Sequence, residues 1–206
     1  MPVIVIANPK GGAGKSTLAT NVAGCLAAVG HAVMLGDIDR QQSSRRWLAL
    51  RPPHLPLIRG WDVAADNIVR PPKGTTHVVL DTPAGLHGKK LDAVMKIADR
   101  MLIPLQASLF DIQATHAFIT EVRGHRRGGD LKVGLVGIRV REHTKASEQL
   151  HHYLSTLPVP VVAWLRDTQN YVQLAAHGLT LWDVARSRVE RDLEQWEPLL
   201  RWLKSS

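Results

Sequence analysis

The feature that most constrains the fold of this chain is a glycine-rich segment directly after its first apolar run. Val3–Ile6 contains only Val and Ile, a pattern typical of a buried strand, and helical spacing begins at residue 16. Glycines between the two let several backbone N–H groups converge on one phosphate, and the N-terminus of the following helix adds its positive end. We therefore predict a phosphate-binding loop, whose residues are Lys10, Gly11, Gly12, Ala13, Gly14, Lys15, Ser16 and Thr17.

Two side chains of this loop and three acids carry the expected chemistry. Lys15 brings a positive charge to the β and γ oxygens of a nucleotide, and the Ser16 hydroxyl is placed to bind Mg²⁺. An apolar strand ends in Asp81, the Walker-B arrangement, in which a carboxylate holds Mg²⁺ through a water. Asp37 and Asp39 follow another apolar run, so the three carboxylates are expected at the carboxyl edge of one sheet.

The rest of the chain alternates between apolar runs and stretches with helical spacing. Strands are predicted at residues 3–6, 32–35, near 57–58, 78–80, 101–104, 133–138 and 161–163, and helices at 16–29, 91–98, 112–127, 145–154 and 168–176. This alternation predicts an α/β fold, a mostly parallel sheet flanked by helices. We expect residues 1–206 to form a single P-loop ATPase domain. An amphipathic helix over residues 183–204 is expected to pack on the sheet, with a membrane-surface or partner-binding role as the alternative.

Lys10, an additional lysine in the loop, distinguishes this sequence from the general phosphate loop. Together with the segments at residues 37–41, 81–84 and 102–106, it resembles the ParA/MinD family of deviant-Walker P-loop ATPases. The resemblance is to the short ParA-type partition and positioning ATPases without an N-terminal DNA-binding domain. It implies that ATP and Mg²⁺ are the cofactors and that a homodimer forms on ATP binding. In such dimers the lysine at the position of Lys10 crosses to the ATP of the other subunit.

The resemblance also assigns roles to individual side chains. The implied catalytic residues are Lys10, Lys15 and Asp39, and the implied metal-binding residues are Ser16, Asp37 and Asp81. Asp39 is expected to orient or activate the attacking water. Arg40 stands where the family often has proline, which places a cation next to that residue.

The charge of the chain indicates which partners it takes. With 26 Lys and Arg against 18 Asp and Glu, the net charge is +8, which favours acidic partners, nucleic acid first. In ParA-type proteins the ATP-bound dimer binds duplex DNA non-specifically, and a cargo-bound ParB-like activator stimulates hydrolysis and release. The resemblance places DNA-binding arginines at Arg166, Arg186 and Arg188. It implies a cytoplasmic, nucleoid-associated ATPase that partitions or positions a plasmid, a chromosome region or a protein assembly.

Other classes of function are weighed against this one. The main alternative is a MinD-like, membrane-associated positioning ATPase, but four acids in the final helix are unfavourable beside anionic lipid: Glu190, Asp192, Glu194 and Glu197. A small-molecule P-loop ligase is a further alternative, although it has no need of Lys10 between subunits. The lone Cys25 excludes an iron–sulfur nucleotidase and favours a reducing compartment. No basic stretch precedes the first strand, so no signal peptide is expected.

Overall fold

A computed structural model describes residues 1–63, 70–106, 108–141 and 144–205 of the chain. Within them, the strands are β1 (Val3–Ile6), β2 (Val33–Asp37), β3 (Ile58–Trp61), β4 (His77–Asp81), β5 (Arg100–Leu105), β6 (Lys132–Val140) and β7 (Val161–Arg166). They form one sheet in the order β3-β2-β4-β1-β5-β6-β7, and every neighbouring pair is parallel. The predicted fold class is confirmed.

Helices cover both faces of this sheet. They are α1 (Lys15–Ala28), α2 (Ser43–Leu50), α3 (Gly88–Ile97), α4 (Leu109–Gly124), α5 (Lys145–Ser155), α6 (Asn170–Ala175) and α7 (Arg186–Lys204). One core cluster joins the sheet to α1, α2, α6 and α7, and a second joins its other face to α3, α4 and α5. Parallel strands buried on both faces require continuous apolar runs, which explains why these segments were recognisable in the sequence.

The order of the strands determines where a ligand can bind. β1 lies in the middle, with β4 on one side and β5 on the other, so the connections that leave these strands diverge at the carboxyl edge. Crevices at such a reversal of strand order are the usual ligand sites of open α/β sheets. The loop after β1 opens into this crevice, and the buried Asn8 anchors it because its Nδ2 donates to the carbonyl oxygen of Pro104 at 2.6 Å.

Helix α2 is not among the helices predicted from the sequence. Its first-turn N–H groups, from Ser44 and Arg45, donate to the carboxylate of Asp37 at 2.9 and 3.2 Å. The helix is therefore capped by a side chain several residues upstream instead of by an adjacent Ser, Thr, Asp or Asn. Trp47 is buried beneath it and attaches it to the core.

The final helix begins a few residues later than predicted. Leu181–Asp183 forms a separate 3-10 turn, stabilised by a capping box between Thr180 and Asp183, and α7 starts at Arg186. Val189, Trp196 and Leu199 are at most 1% exposed and belong to the core cluster on the α1 face. The apolar face of α7 is thus packed against the body of the protein.

Candidate functional site

The loop between β1 and α1 has a backbone that only glycine adopts without strain at two positions. Gly12 and Gly14 have φ angles of 72° and 73°, in the left-handed region. A Cβ on Gly14 would lie 2.3 Å from Cδ1 of Ile138, so that terminal methyl would have to move. Asn8 Oδ1 accepts the backbone N–H of Lys10 at 2.7 Å and holds the start of the curl. The result is a tight loop opening onto the N-terminus of α1, the geometry that binds phosphate.

Lys15 lies beneath this loop with its ammonium group partly dehydrated. Its side chain is buried, and Nζ donates to the carbonyl oxygen of Lys10 at 2.8 Å. Burial lowers the pKa of Lys15, and the charges of Asp81 and Asp39 act in the opposite direction. A buried cation with few partners gains stability from an anion placed beside it. This arrangement suits a lysine that binds phosphate oxygens.

Asp81 closes the site at the end of β4. It is 1% exposed; its Oδ2 accepts the Ser44 hydroxyl at 2.6 Å, while its buried Oδ1 has no hydrogen-bond partner among the described residues. Burial raises the pKa of Asp81 to about 6, and the Ser16 and Ser44 hydroxyls partly oppose that shift. A dry carboxylate oxygen near a serine hydroxyl is the hard-oxygen donor set that Mg²⁺ prefers beside phosphate. The residues present therefore fit the predicted Mg²⁺ ion.

Asp37 lies directly opposite Asp81 in the register of β2 and β4, as expected for acids at one sheet edge. Its Oδ1 accepts the N–H of Asp39 at 3.0 Å, and its Oδ2 accepts two N–H groups of the first turn of α2. Burial raises the pKa of Asp37, and these backbone hydrogen bonds oppose the shift. In this geometry Asp37 holds the Asp39 loop and α2 in place, and its role in supporting the metal stays a prediction.

Asp39 and the segment after β4 border the same crevice. Asp39 is half-buried, and its Oδ1 accepts the N–H of Gln41 at 2.9 Å, which forms a local turn. After β4, the Thr82 hydroxyl donates to the carbonyl oxygen of Ile6 at 2.8 Å, and the N–H of Gly85 donates to that of Pro9 at 2.9 Å. A movement of the phosphate loop would therefore act, through these hydrogen bonds, on the segment that follows Asp81.

Sequence reasoning missed a cleft of about 640 Å³ beside the phosphate loop. Its walls come from Gly14 of the loop, Thr17 on α1, Ile138 on β6, Arg166 on β7 and Tyr171 on α6. It has the size and mixed apolar and polar lining of a small-molecule site, as a nucleoside would require. No local pattern reveals it, because the wall near residues 14–17 and the wall formed by residues 138–171 lie more than 100 residues apart in the chain.

The three arginines predicted to bind DNA lie near the start of α7. Arg166 Nε pairs with Oδ1 of the fully buried Asp192 at 2.5 Å, so this guanidinium is tied into the fold. Arg186 and Arg188 are exposed; Arg186 approaches Glu190 at 3.7 Å. Arg166 and Arg188 line one shallow notch of about 430 Å³. The structure brings the three residues to one end of the helix, and their role in DNA binding stays a prediction.

The parallel sheet, the glycine loop at its central strand and the buried lysine and carboxylate beside it define a P-loop nucleotide-binding protein. Residues 4–181 match the family model described as the CobQ/CobB/MinD/ParA nucleotide binding domain. The chain belongs to this family, which confirms the resemblance found in the sequence.

Individual relatives agree with this assignment. The chain is 34% identical over 116 residues to the maintenance of carboxysome distribution protein A of Gloeobacter kilaueensis, covering 53% of this chain and 51% of that protein. Over 170 residues it is 28% identical to the chromosome-partitioning ATPase Soj of Thermus thermophilus, covering 66% and 68%. The matched segment thus spans about half the length of the first relative and about two thirds of the second.

Solved structures show the same fold. A plasmid partition protein of Borrelia burgdorferi B31 bound to AMPPNP has a TM-score of 0.76 at 17% identity, covering 97% of this chain and 98% of that one. A chain of the MinC:MinD cell division protein complex of Aquifex aeolicus has the same TM-score and identity, covering 100% of this chain and 97% of that one. At this level of identity the likeness concerns the fold alone.

Proposed function

We propose that this chain is a ParA-type ATPase that binds Mg-ATP, dimerises, holds duplex DNA without sequence preference and positions a cargo. A ParB-like activator on the cargo would stimulate a slow hydrolysis. The observation that carries the proposal is the phosphate loop with two lysines, of which Lys15 lies beneath the loop and Lys10 does not. The whole chain would act as one ATPase domain, since α7 packs on the same sheet that carries the loop.

The surroundings of Lys10 support a role between subunits. Its side chain is half-buried, and its ammonium has no hydrogen-bond or ion-pair partner within the described residues. Because the backbone of Lys10 is fixed by Asn8, the residue stays at the loop while its charge is free to meet phosphate from outside. A cation placed there would offset the charge of a second nucleotide across a face-to-face dimer.

The remaining residues would bind the phosphates, hold Mg²⁺ and orient water within one subunit. The loop N–H groups and Lys15 would bind the phosphates, and Ser16 and Asp81 would hold Mg²⁺. When bound, the ion neutralises charge on the phosphate oxygens. Asp39, at the rim of the crevice, would orient the attacking water. Arg40 is exposed beside it and adds positive charge to that rim.

DNA is the partner that the charge favours. Duplex DNA binds proteins through neutralised phosphates, and a net charge of +8 per chain doubles in a dimer. Arg186 and Arg188, exposed at the start of α7, are the proposed contacts, with Arg166 beside them. The proposed location is the nucleoid.

The membrane alternative finds less support in the contacts of α7. Trp196 and Leu199 are fully buried, and Arg100 Nε holds the end of the helix by donating to the carbonyl oxygen of Leu203 at 3.1 Å. The face that would enter a bilayer is therefore occupied by the sheet. Across the described residues, no helix is both long and apolar enough to span a membrane.

Fluorescence anisotropy of a random-sequence duplex, titrated with protein in ATP–Mg²⁺ and in ADP–Mg²⁺, tests the proposal. We expect tight, salt-sensitive binding with ATP and at least tenfold weaker binding with ADP. The paired variant Arg186→Ala/Arg188→Ala should lose the ATP-dependent binding, whereas Arg126→Ala, an exposed arginine on the opposite face, should keep it. Equal weak binding in both nucleotides would contradict the role of DNA, and liposome binding or metabolite-stimulated turnover would then identify the alternatives.

A further inference from the structure

Ser44 is a buried polar residue at the start of α2, and the sequence pattern assigned it no role. It is 0% exposed, its hydroxyl donates to Oδ2 of Asp81 at 2.6 Å, and its backbone N–H donates to Oδ2 of Asp37 at 2.9 Å. It therefore contacts the two acids that the parallel register places opposite each other. The Ser16 hydroxyl also stabilises the Asp81 carboxylate, but the 2.6 Å hydrogen bond comes from Ser44.

The hydroxyl of Ser44 has a single hydrogen, and this hydrogen is donated in the hydrogen bond to Asp81. Oδ2 is thus occupied and the carboxylate cannot rotate freely, while Oδ1 remains buried without a partner. A carboxylate held at one oxygen by a hydrogen bond offers the other oxygen to a cation in a defined direction. We propose, on the basis of the Mg-ATP function proposed above, that Ser44 is a positioning residue that keeps Oδ1 of Asp81 available for Mg²⁺ or a water bound to it.

The backbone of Ser44 extends this role to the residue expected to orient water. The same Asp37 carboxylate that accepts the N–H of Ser44 through Oδ2 accepts the N–H of Asp39 through Oδ1 at 3.0 Å. Asp81, Ser44, Asp37 and Asp39 thus form one continuous hydrogen-bonded chain along the sheet edge. A displacement of Asp81 would therefore act on the Asp39 loop through Ser44 and Asp37.

The test is the Mg²⁺ requirement of nucleotide binding, measured with a fluorescent ATP analogue at increasing Mg²⁺. Ser44→Ala should raise the Mg²⁺ concentration at half-saturation about 10- to 100-fold, as is usual when a partner of a metal-binding carboxylate is removed. Affinity for the nucleotide in EDTA should stay within about twofold, because the phosphate loop is untouched. Ser43→Ala, an exposed neighbour in the same turn, should match the wild type in both conditions.

Two further measurements separate positioning from damage to the fold. Thermal unfolding without Mg²⁺ shows whether Ser44→Ala folds, and Ser44→Thr, which retains a hydroxyl, should restore most of the Mg²⁺ affinity. If Ser44→Ala loses nucleotide affinity equally with Mg²⁺ and EDTA, or requires no more Mg²⁺ than the wild type, the role of Ser44 is overturned. A wild type that binds no nucleotide, or binds it independently of Mg²⁺, would instead overturn the proposed function on which the inference rests.

Discussion

Replacing Asp183 with Ala should destabilise this protein more than most single changes, because it leaves a buried guanidinium without its counter-ion. Arg51, at the end of α2, pairs with Asp183 through two hydrogen bonds of 2.8 and 2.9 Å, and the side chains are 5% and 1% exposed. The carbonyl oxygens of Gly178 and Pro56 accept its remaining N–H groups at 3.2 and 3.3 Å. Asp183 also accepts the N–H and hydroxyl of Thr180, both at 2.7 Å.

The magnitude follows from this burial. Breaking a buried ion pair by removing one partner costs about 3–5 kcal/mol, and each kcal/mol lowers the Tm of a chain of this size by about 2–4 °C. A fall of about 10 °C is therefore expected for Asp183→Ala. Burial alone would raise the pKa of Asp183, but hydrogen bonds from Arg51 and Thr180 outweigh it and hold the pKa below its ordinary value. The pair should accordingly persist at pH 7 and weaken only in strong acid.

Urea unfolding at pH 7, followed by circular dichroism, measures the change. The double variant Arg51→Met/Asp183→Ala should lose less stability than the sum of the single variants, because no uncompensated charge remains. Arg45→Met is the matched control, since Arg45 meets Asp62 only at 3.8 Å with side chains 69% and 97% exposed, and it should leave the midpoint unchanged. A loss below about 1 kcal/mol for Asp183→Ala, where about 3 or more is expected, would refute the reasoning.

Three further predictions concern the loop, the water-orienting acid and pH. Gly14→Ala should weaken binding of a fluorescent ATP analogue at least tenfold, because alanine is strained at the positive φ and its Cβ would displace the terminal methyl of Ile138; Gly124→Ala, outside the loop and with open space around its Cβ, should bind normally. Asp39→Ala should bind ATP normally but turn it over at least tenfold more slowly in a phosphate-release assay, and wild-type turnover would remove it from the mechanism. Burial lowers the pKa of His77 from 6.5 to about 4, so the unfolded chain takes up this proton before the folded one. The contribution of His77 to stability should therefore be lost from about pH 6.5 towards pH 4, whereas Asp81, whose pKa is raised to about 6, acts in the opposite direction. His77→Gln should flatten that part of a urea-midpoint profile, and an unchanged slope would be inconsistent with this account.

The parts of the fold that could be predicted are those encoded locally. The phosphate loop needs glycines, a lysine and a serine at consecutive positions, and the central strands are apolar because helices cover both faces of the sheet. Asp37 and Asp81 were expected together because parallel strands end at one edge, and the register places them directly opposite each other. The fold class and the family were therefore accessible from the sequence.

The parts that could not be predicted depend on contacts between distant residues. Helix α2 is capped by Asp37 instead of by an adjacent residue, so no start signal precedes it. Arg51 has no local signal of its role, because its partner Asp183 lies 132 residues away. The hydroxyl of Ser44 likewise meets Asp81 only after β2 and β4 have paired. Capping, burial and orientation of these groups become visible only when the sheet is assembled.

The central claim is a dimer that forms only on ATP and depends on Lys10, and the mass of the protein in solution tests it most directly. Size-exclusion chromatography with light scattering would be run on the wild type and Lys10→Ala, with ATP–Mg²⁺, with ADP–Mg²⁺ and without nucleotide. Fluorescent-nucleotide binding should first show that Lys10→Ala still binds. We predict twice the monomer mass for the wild type in ATP–Mg²⁺ alone, and the monomer mass for Lys10→Ala in every condition. A Lys10→Ala protein that dimerises normally with ATP, or a wild type that stays monomeric, would contradict the account.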